Sequence, residues 1–261
     1  MLRDALTTGL RDLTNTPTEE EAWHTILDAD DVVLLKFNQS GRTRLQTTPA
    51  MATVLIESLV RSGWGPDRLI IVEAGDDHAR IGKTRPPDFR WQGQSVHFGR
   101  SGADTFTASL DQATAIINVP FLKTHPRAVM TGCLKNLSHG LIRHPARFHA
   151  GGCAPAIGEI VASAPIRSRL RLNVVNALRV PFEAGDDAGT GKLHTFGGLL
   201  LTRDPVAGDA VGFSILNEIR GLRELPPLLP HARVPKQLLT ASKLGAGEYD
   251  AANIDLRSHI F

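Results

Sequence analysis

Apolar residues recur along the chain in two distinct patterns. At helical spacing they mark residues 2–13 and 18–28 as short amphipathic helices, broken at Thr16-Pro17 with Thr18 as the cap of the second. Short continuous apolar runs bounded by polar residues mark buried strands at Asp31–Lys36, Arg68–Glu73 and Ala113–Val119, the last ending at Pro120. Between the first two strands, Pro49–Arg61 reads as a helix that opens on proline and stops at Gly63 and Gly65-Pro66. Strand, helix, strand is the pattern of a parallel, right-handed crossover. Residues 75–104 are rich in Gly, Pro, Asp and Arg and read as a long excursion with one strand at Ser95–Phe98. Residues 131–142 and 154–163 read as helices, and Leu170–Val175 and Gly198–Leu201 as strands. Pro205–Ile219 reads as a helix with Asp204 as N-cap and proline at the first helical position. Pro226, Pro227 and Pro230 make a stiff connector before a last helix near Pro235–Leu244 and a short strand at Asn253–Leu256.

Strands alternating with helices predict an α/β fold, a mostly parallel sheet flanked by helices. The pattern is that of a single domain over residues 1–261, with residues 1–30 as an N-terminal helical extension. No internal repeat or low-complexity tract interrupts it. Ligands of such sheets sit beyond the carboxyl ends of the strands. The residues to watch are therefore Lys36, Asn38, Glu73, Lys123, His125 and Asp204.

Composition narrows the class. The chain has 29 Lys and Arg against 27 Asp and Glu, a formal charge of +2, with 42% hydrophobic residues. That is a globular composition, and too near neutral to predict nucleic-acid binding. One Tyr, three Trp and ten Phe, not interleaved with basic runs, offer no base-stacking platform. The cysteines are Cys133 and Cys153, too few for a disulfide scaffold or a four-cysteine cluster within one chain. Both are expected to be inert buried thiols. The first twenty residues contain no signal-like apolar run, and the longest apolar stretches, Val32–Leu35 and Gly197–Leu201, are strand-sized. A soluble, cytoplasmic protein without membrane contact is expected.

Charge is distributed unevenly. From Gln112 to Gly158 there is no Asp or Glu, whereas Lys123, Arg127, Lys135, Arg143 and Arg147 fall there together with His125, His139, His144 and His149. Such a segment carries positive potential and suits an anionic ligand, unless acids from elsewhere in the fold neutralise it. In Lys123-Thr124-His125, an extended chain points Lys and His the same way, as a cationic clamp or as a base beside a charge. If Thr131 or Gly132 opens a helix, its free N–H groups also favour an anion. His139, His144 and His149 are spaced five and five, which fits no regular zinc motif, so no metal ligand is assigned. A mixed site with Asp204 or Asp209 stays open. Gly185–Lys192 imitates a phosphate loop, but its spacing is one residue too long and Leu193 replaces the required Ser or Thr. No Gly-x-Gly-x-x-Gly and no Gly-x-Ser-x-Gly occurs.

Five runs together carry a resemblance: Val33–Asn38 (VLLKFN), Ile116–His125 (IINVPFLKTH), Thr131–Leu137 (TGCLKNL), Arg147-Phe-His149 and Asp204–Asp209 (DPVAGD). They resemble the family known as domain of unknown function 362, which shows Lys-Pro-Asn after an early strand, then Pro-x-x-Lys-Thr-His, Thr-Gly-x-x-Lys-Asn, a later His and Asp-Pro-Val-Ala-x-Asp. The similarity runs from about Val32 to the segment Gly245–Leu256. It implies site roles for Lys36, Asn38, Lys123, Thr124, His125, Thr131, Lys135, Asn136, His149, Asp204 and Asp209. Phe37 stands where the family has Pro, and Asn176 where it often has Asp. The cysteine-rich ferredoxin-like segment that many members carry is absent here.

The expectation is an enzyme with a small anionic substrate, a carboxylate or phosphate, in a Lys/His-lined pocket. Lys123, His125 and His149 are its expected acid–base or nucleophilic groups, since histidine titrates near neutrality. Lys36, Asn38, Thr124, Thr131, Lys135, Asn136, Asp204 and Asp209 are its expected binding and orienting groups. One alternative is a metal- or iron–sulfur-linked redox protein with cluster cysteines from a partner chain. Another is a non-catalytic binder of a phosphorylated ligand. The cofactor, the reaction class and a homo-oligomeric state are left open.

Overall fold

The structure, a computed structural model, describes residues 1–75, 93–183, 191–231 and 233–261. The chain runs through α1 (Leu2–Thr14), α2 (Glu19–Ile26), β1 (Val33–Lys36), α3 (Arg42–Leu45), α4 (Thr48–Arg61), β2 (Leu69–Val72), β3 (Ser95–Phe98) and β4 (Gly102–Thr105). It continues through α5 (Ala108–Gln112), β5 (Ala115–Asn118), β6 (Lys123–His125), β7 (Val129–Thr131) and α6 (Cys133–His139). After a kinked 3-10 segment at Pro145–Cys153 come α7 (Ala156–Val161), α8 (Ala164–Arg167), β8 (Leu170–Pro181), β9 (Leu193–Thr202), α9 (Pro205–Gly221) and α10 (Lys236–Lys243).

Five strands form one sheet in the order β2-β1-β5-β8-β9. β2, β1, β5 and β8 are mutually parallel, and β9 returns antiparallel on the edge of β8. The predicted α/β class with a mostly parallel sheet is what forms. The alternation inside each strand sorts its side chains. Val33 and Leu35 of β1 join Leu69, Ile71 and Ile117 in a core closed by Leu6 and Leu10 of α1, Trp23 of α2 and Leu55 of α4. Leu34, Ile70 and Ile116 face the other way, onto α5, α6, α7 and α10. Helices therefore cover both faces, as a parallel sheet requires. Residues 1–30 belong to this core: Leu6, Leu10 and Trp23 are fully buried, and the Trp23 indole donates to Ser58 Oγ at 2.7 Å.

Several elements depart from the pattern reading. β8 and β9 are 12 and 10 residues long, because past Asn173 β8 leaves β5 and pairs with β9 as a long antiparallel ribbon. Two small hairpins, β3–β4 and β6–β7, fall where the sequence marked one strand or none. Asn253–Leu256 is not a strand. Asp250 caps a 3-10 turn at Ala251–Asn253, and the chain runs on without regular structure. The excursion is described only from residue 93 on, where it builds β3 and β4; residues 76–92 lie outside the described residues, as do residues 185–190 of the Gly185–Lys192 run. Among the described residues no helix is long and apolar enough to cross a membrane.

Candidate functional site

Chain order reverses at β1. The chain leaves it to one side for β2 and comes back on the other side as β5. In an open α/β sheet the crevice at such a switch point, beyond the strand carboxyl ends, is where ligands bind. Here that end of the sheet is crossed by one row of polar residues. Strand register aligns Lys36 of β1 with Asn118 of β5, Asn118 with Asn173 of β8, and Asn173 with Thr202 of β9. Lys36, Asn118 and Asn173 are fully buried, so their polar groups must find partners within the protein. Lys36 Nζ donates to the Phe37 carbonyl at 2.5 Å, to Glu73 Oε2 at 2.9 Å and to Asn136 Oδ1 at 3.2 Å. The amide of Asn136 donates to the Lys36 carbonyl at 3.1 Å and to Asn118 Oδ1 at 2.7 Å. Asn118 donates on to Asn173 Oδ1 at 2.8 Å, and Asn173 to the Thr202 carbonyl at 3.2 Å.

With three protons and three acceptors, Lys36 has nothing left for a substrate. It is fully buried and works as the floor of the site. Lys123 is buried too, and donates to the Ser40 carbonyl at 3.3 Å and to Ser40 Oγ at 2.5 Å. It pins the loop that follows β1. Glu73 holds the same loop from the other side, accepting from Gln39 N at 2.9 Å. That loop carries Arg42 and Arg44 into the crevice. The sequence pattern does not single out either arginine, although Gly41-Arg-Thr-Arg44 in the connection after a strand is a legible signal.

Helix α6 forms the facing wall, and Asp209 of α9 hangs it in place. The Asp209 carboxylate accepts from Cys133 N at 2.5 Å and from Leu134 N at 3.2 Å, which caps the free N–H groups of α6. The anion expected at this helix start is therefore a carboxylate of the protein itself. Complete burial pushes the Asp209 pKa up to about 7, against the two amide donors that favour its charge. Two glycines make the arrangement fit. A Cβ at Gly132 would overlap Asp209 Oδ1, and one at Gly140 would overlap Lys36 Nζ. So Thr-Gly-x-x-Lys-Asn encodes a capped helix start, and Gly140 its clearance over the lysine.

Between loop and helix lies a cavity of about 710 Å3 lined by Asn38, Gln39, Arg42, Arg44, Glu73, His125, Thr131, Lys135, Asn136 and His139, with Ser40, Gly41, Thr43 and Gly140. Among the described residues Glu73 is its one lining carboxylate, and it is already tied to Lys36 and Gln39. The remaining charge is positive. Burial, with Lys123 beside it, lowers Lys135 to about 8. Its Nζ lies 3.4 Å from His149 Nε2. His125 is lowered to about 3, first by burial and then by Lys135, His149, Lys123 and Arg127. Its Nδ1 accepts from Arg127 N at 3.1 Å and Ala128 N at 3.0 Å, so the neutral ring carries its proton on Nε2. His125 is thus a neutral donor near pH 7, not the base that an unperturbed histidine would supply. His149 stacks on it with ring centroids 5.9 Å apart.

Of the residues expected at the site, Asn38, His125, Thr131, Lys135 and Asn136 line the cavity. His149 stands behind His125 and Lys135. Lys36 and Lys123 lie beneath it, and Thr124 Oγ1 donates away from it to the Pro181 carbonyl at 3.3 Å. Asp204 is an N-cap. One of its oxygens accepts from Val206 N and Ala207 N, at 2.8 and 2.9 Å, and the other holds Glu248 N at 2.8 Å. His144 is exposed and pairs with Asp104 at 3.0 Å, away from the cavity. A second cavity, of about 560 Å3, is lined by Phe182, Gly191, Lys192 and Arg223 and shares Arg44 with the first; Arg44 donates there to the Gly191 carbonyl, and none of the expected residues lines it.

No curated protein matches the chain. A family model described as domain of unknown function (DUF362) matches residues 88–214. The matched segment runs through β6, β7, α6 and the start of α9, and so contains Lys123, His125, Thr131, Lys135, Asn136, His149, Asp204 and Asp209. Lys36 and Asn38, which face this segment across the crevice, precede it. With the motif runs in their family order and the matched segment spanning one wall of the crevice, residues 88–214 of the chain match the DUF362 family.

Proposed function

We propose that the crevice binds a small carboxylate or phosphate and that the protein is an enzyme acting on it by proton transfer. The observation that supports this reading is the lining of the cavity: Arg42, Arg44, His125 and Lys135 line it, while its one carboxylate among the described residues is tied to Lys36 and Gln39. A crevice with fixed donors and little competing negative charge concentrates an anion. Arg42 and Arg44 hold the anion, with guanidinium forks matched to carboxylate or phosphate oxygens. His125 donates a neutral hydrogen bond. Lys135 moves the proton, since it faces the cavity and has no carboxylate partner among the described residues. Lys36, Lys123 and Asp209 position these groups without touching the ligand.

Calorimetric titration with inorganic phosphate and a panel of small carboxylates tests the binding half. Arg42→Gln is expected to weaken the best ligand at least tenfold, as loss of a charge-assisted hydrogen bond does at about 1.5–3 kcal/mol. Proton transfer is read by nuclear magnetic resonance as deuterium uptake, in heavy water, at carbon next to the ligand's carboxylate. Lys135→Met is expected to abolish it while leaving the fold intact. Wild-type affinity in Arg42→Gln would sink the anion site. Tight binding with no exchange for any ligand would reduce the protein to a binder.

A further inference from the structure

Two histidines and a cysteine meet behind Lys135. His139 lies on α6 one turn after Lys135, and His149 and Cys153 lie four residues apart on the kinked 3-10 segment. One ligand atom from each of the three lies within 4.8 Å of the others. We propose that His139, His149 and Cys153 form a transition-metal site of the zinc class, open toward the cavity.

The hydrogen bonds around the rings favour this use. His149 Nδ1 lies 3.1 Å from the Pro145 carbonyl and 3.3 Å from the Ala146 carbonyl, which can only accept. Its proton is therefore on Nδ1, and Nε2 presents a lone pair. Ser138 Oγ donates to the Lys135 carbonyl at 3.2 Å, which leaves the hydroxyl oxygen to accept from His139 Nδ1 at 3.0 Å. His139 Nε2 then also presents its lone pair, and it is a buried nitrogen without a partner among the described residues. Backbone or hydroxyl acceptors on the far ring nitrogen are how metal-binding histidines are oriented. Cys153 is a free, buried thiol.

The geometry fits a tetrahedral ion. Zn–N of about 2.0–2.1 Å and Zn–S of about 2.3 Å put neighbouring ligand atoms roughly 3.3–3.7 Å apart, so the three need close by no more than about 1.5 Å. Two imidazoles and a thiolate are a borderline-soft set that suits Zn2+, and Co2+ in its place. Three protein ligands leave one position open, as in catalytic rather than structural zinc sites. Of the three ligands His139 lines the cavity, and the open position is assigned to that side. The surrounding cations oppose a metal ion, and the Cys153 thiolate offsets part of that repulsion. On binding, the Cys153 S–H bond breaks, the sulfur pair goes to the metal and the proton leaves to solvent. Lys135 loses its contact with His149 Nε2 and is released toward the cavity. The site stands on its own residues and does not depend on the anion reading.

The test loads metal-free, full-length protein with Zn2+ by equilibrium dialysis, with elemental analysis, and separately with Co2+ under anaerobic conditions. The expected result is one Zn2+ per chain and a Co2+ spectrum with a thiolate-to-metal charge-transfer band and intense tetrahedral d–d bands. Cys153→Ser should lose the charge-transfer band, His139→Gln should weaken Zn2+ at least tenfold, and His144→Gln should match wild type. The wild-type spectrum needs no variant to fold. A pale, octahedral Co2+ spectrum, or equal Zn2+ binding by His139→Gln and wild type, would overturn the site. Phosphate titration of the metal-free protein reads the anion site alone, so either idea can fail while the other stands.

Discussion

Lys36, Lys123 and Lys135 carry the same side chain and the same formal charge, yet only Lys135 lines the cavity. Register decides the difference. Lys36 shares a row with Asn118 and is enclosed by Phe37, Glu73 and Asn136, whereas Lys135 leaves a helix wall toward open space. Asn136 is the residue that ties the enclosure together. Asn136→Ala leaves Lys36 Nζ, the Lys36 carbonyl and Asn118 Oδ1 each one partner short, at about 1–3 kcal/mol for each buried group left unsatisfied. Lys36 Nζ keeps Phe37 and Glu73, and the Lys36 carbonyl keeps Val119 N, so the full penalty falls on Asn118 Oδ1; differential scanning calorimetry should read a melting point lower by roughly 2–12 °C, at about 2–4 °C per kcal/mol. Asp209 makes a pH prediction. Its folded pKa is raised to about 7 from 3.8, so the native state holds the extra proton between those values. Its contribution therefore falls as pH rises from 4 to 7, by up to about 1.4 kcal/mol per pH unit, and stays at its lowest above pH 7. Asp209→Asn removes that slope. Urea titrations of both proteins from pH 4 to 8 should show a difference that varies across this window; a constant difference would refute the assignment.

At the scale of elements, α6 is the short helix on which the site is hung. Seven residues make a marginal helix on their own, and its order comes from the Asp209 cap and from the Lys36 contact at its end. Gly132→Ala and Gly140→Ala each place a methyl group against one of these partners. Each is expected to destabilise by about 1–3 kcal/mol, as overpacking does. Each should also disturb α6, so that phosphate affinity falls together with stability in thermal-shift and calorimetric measurements. Helices with proline starts and polar caps are legible in the amino-acid pattern: Thr48–Arg61 and Pro205–Gly221 form within two residues of where that pattern puts them. The hairpin β6–β7 is not. Its strands are three residues each, too short for alternation to register, and they pair because the β5 connection folds back over β8.

Across the whole molecule, positive charge collects at one end of the sheet. The acid-free run from Gln112 to Gly158 supplies Lys123, Arg127 and Lys135, and the loop after β1 adds Arg42 and Arg44. Acids do arrive from elsewhere, as the neutralising alternative supposed: Asp104 pairs with His144 away from the cavity, while Asp209 settles on the backbone of α6 and Glu159 on Arg100 N and Ser101 N at 3.2 and 3.0 Å. Anion affinity should therefore fall as ionic strength rises from 0.05 to about 0.5 M, because screening acts over a Debye length of roughly 4–14 Å in that range. Calorimetry in sodium chloride reads this, and a salt-independent affinity would mean that the wider field contributes nothing. The α/β class, the early strands and the strand-end location of the site follow from sequence alone, since apolar runs and capped helices are local patterns that chain order turns into parallel crossovers. The division of labour among the site residues does not. Whether a lysine reaches a ligand or is consumed by Glu73, whether Asp209 meets a substrate or a helix start, and whether Cys153 is inert or stands beside two histidines depend on contacts between segments up to a hundred residues apart. Only the packed chain sets those distances.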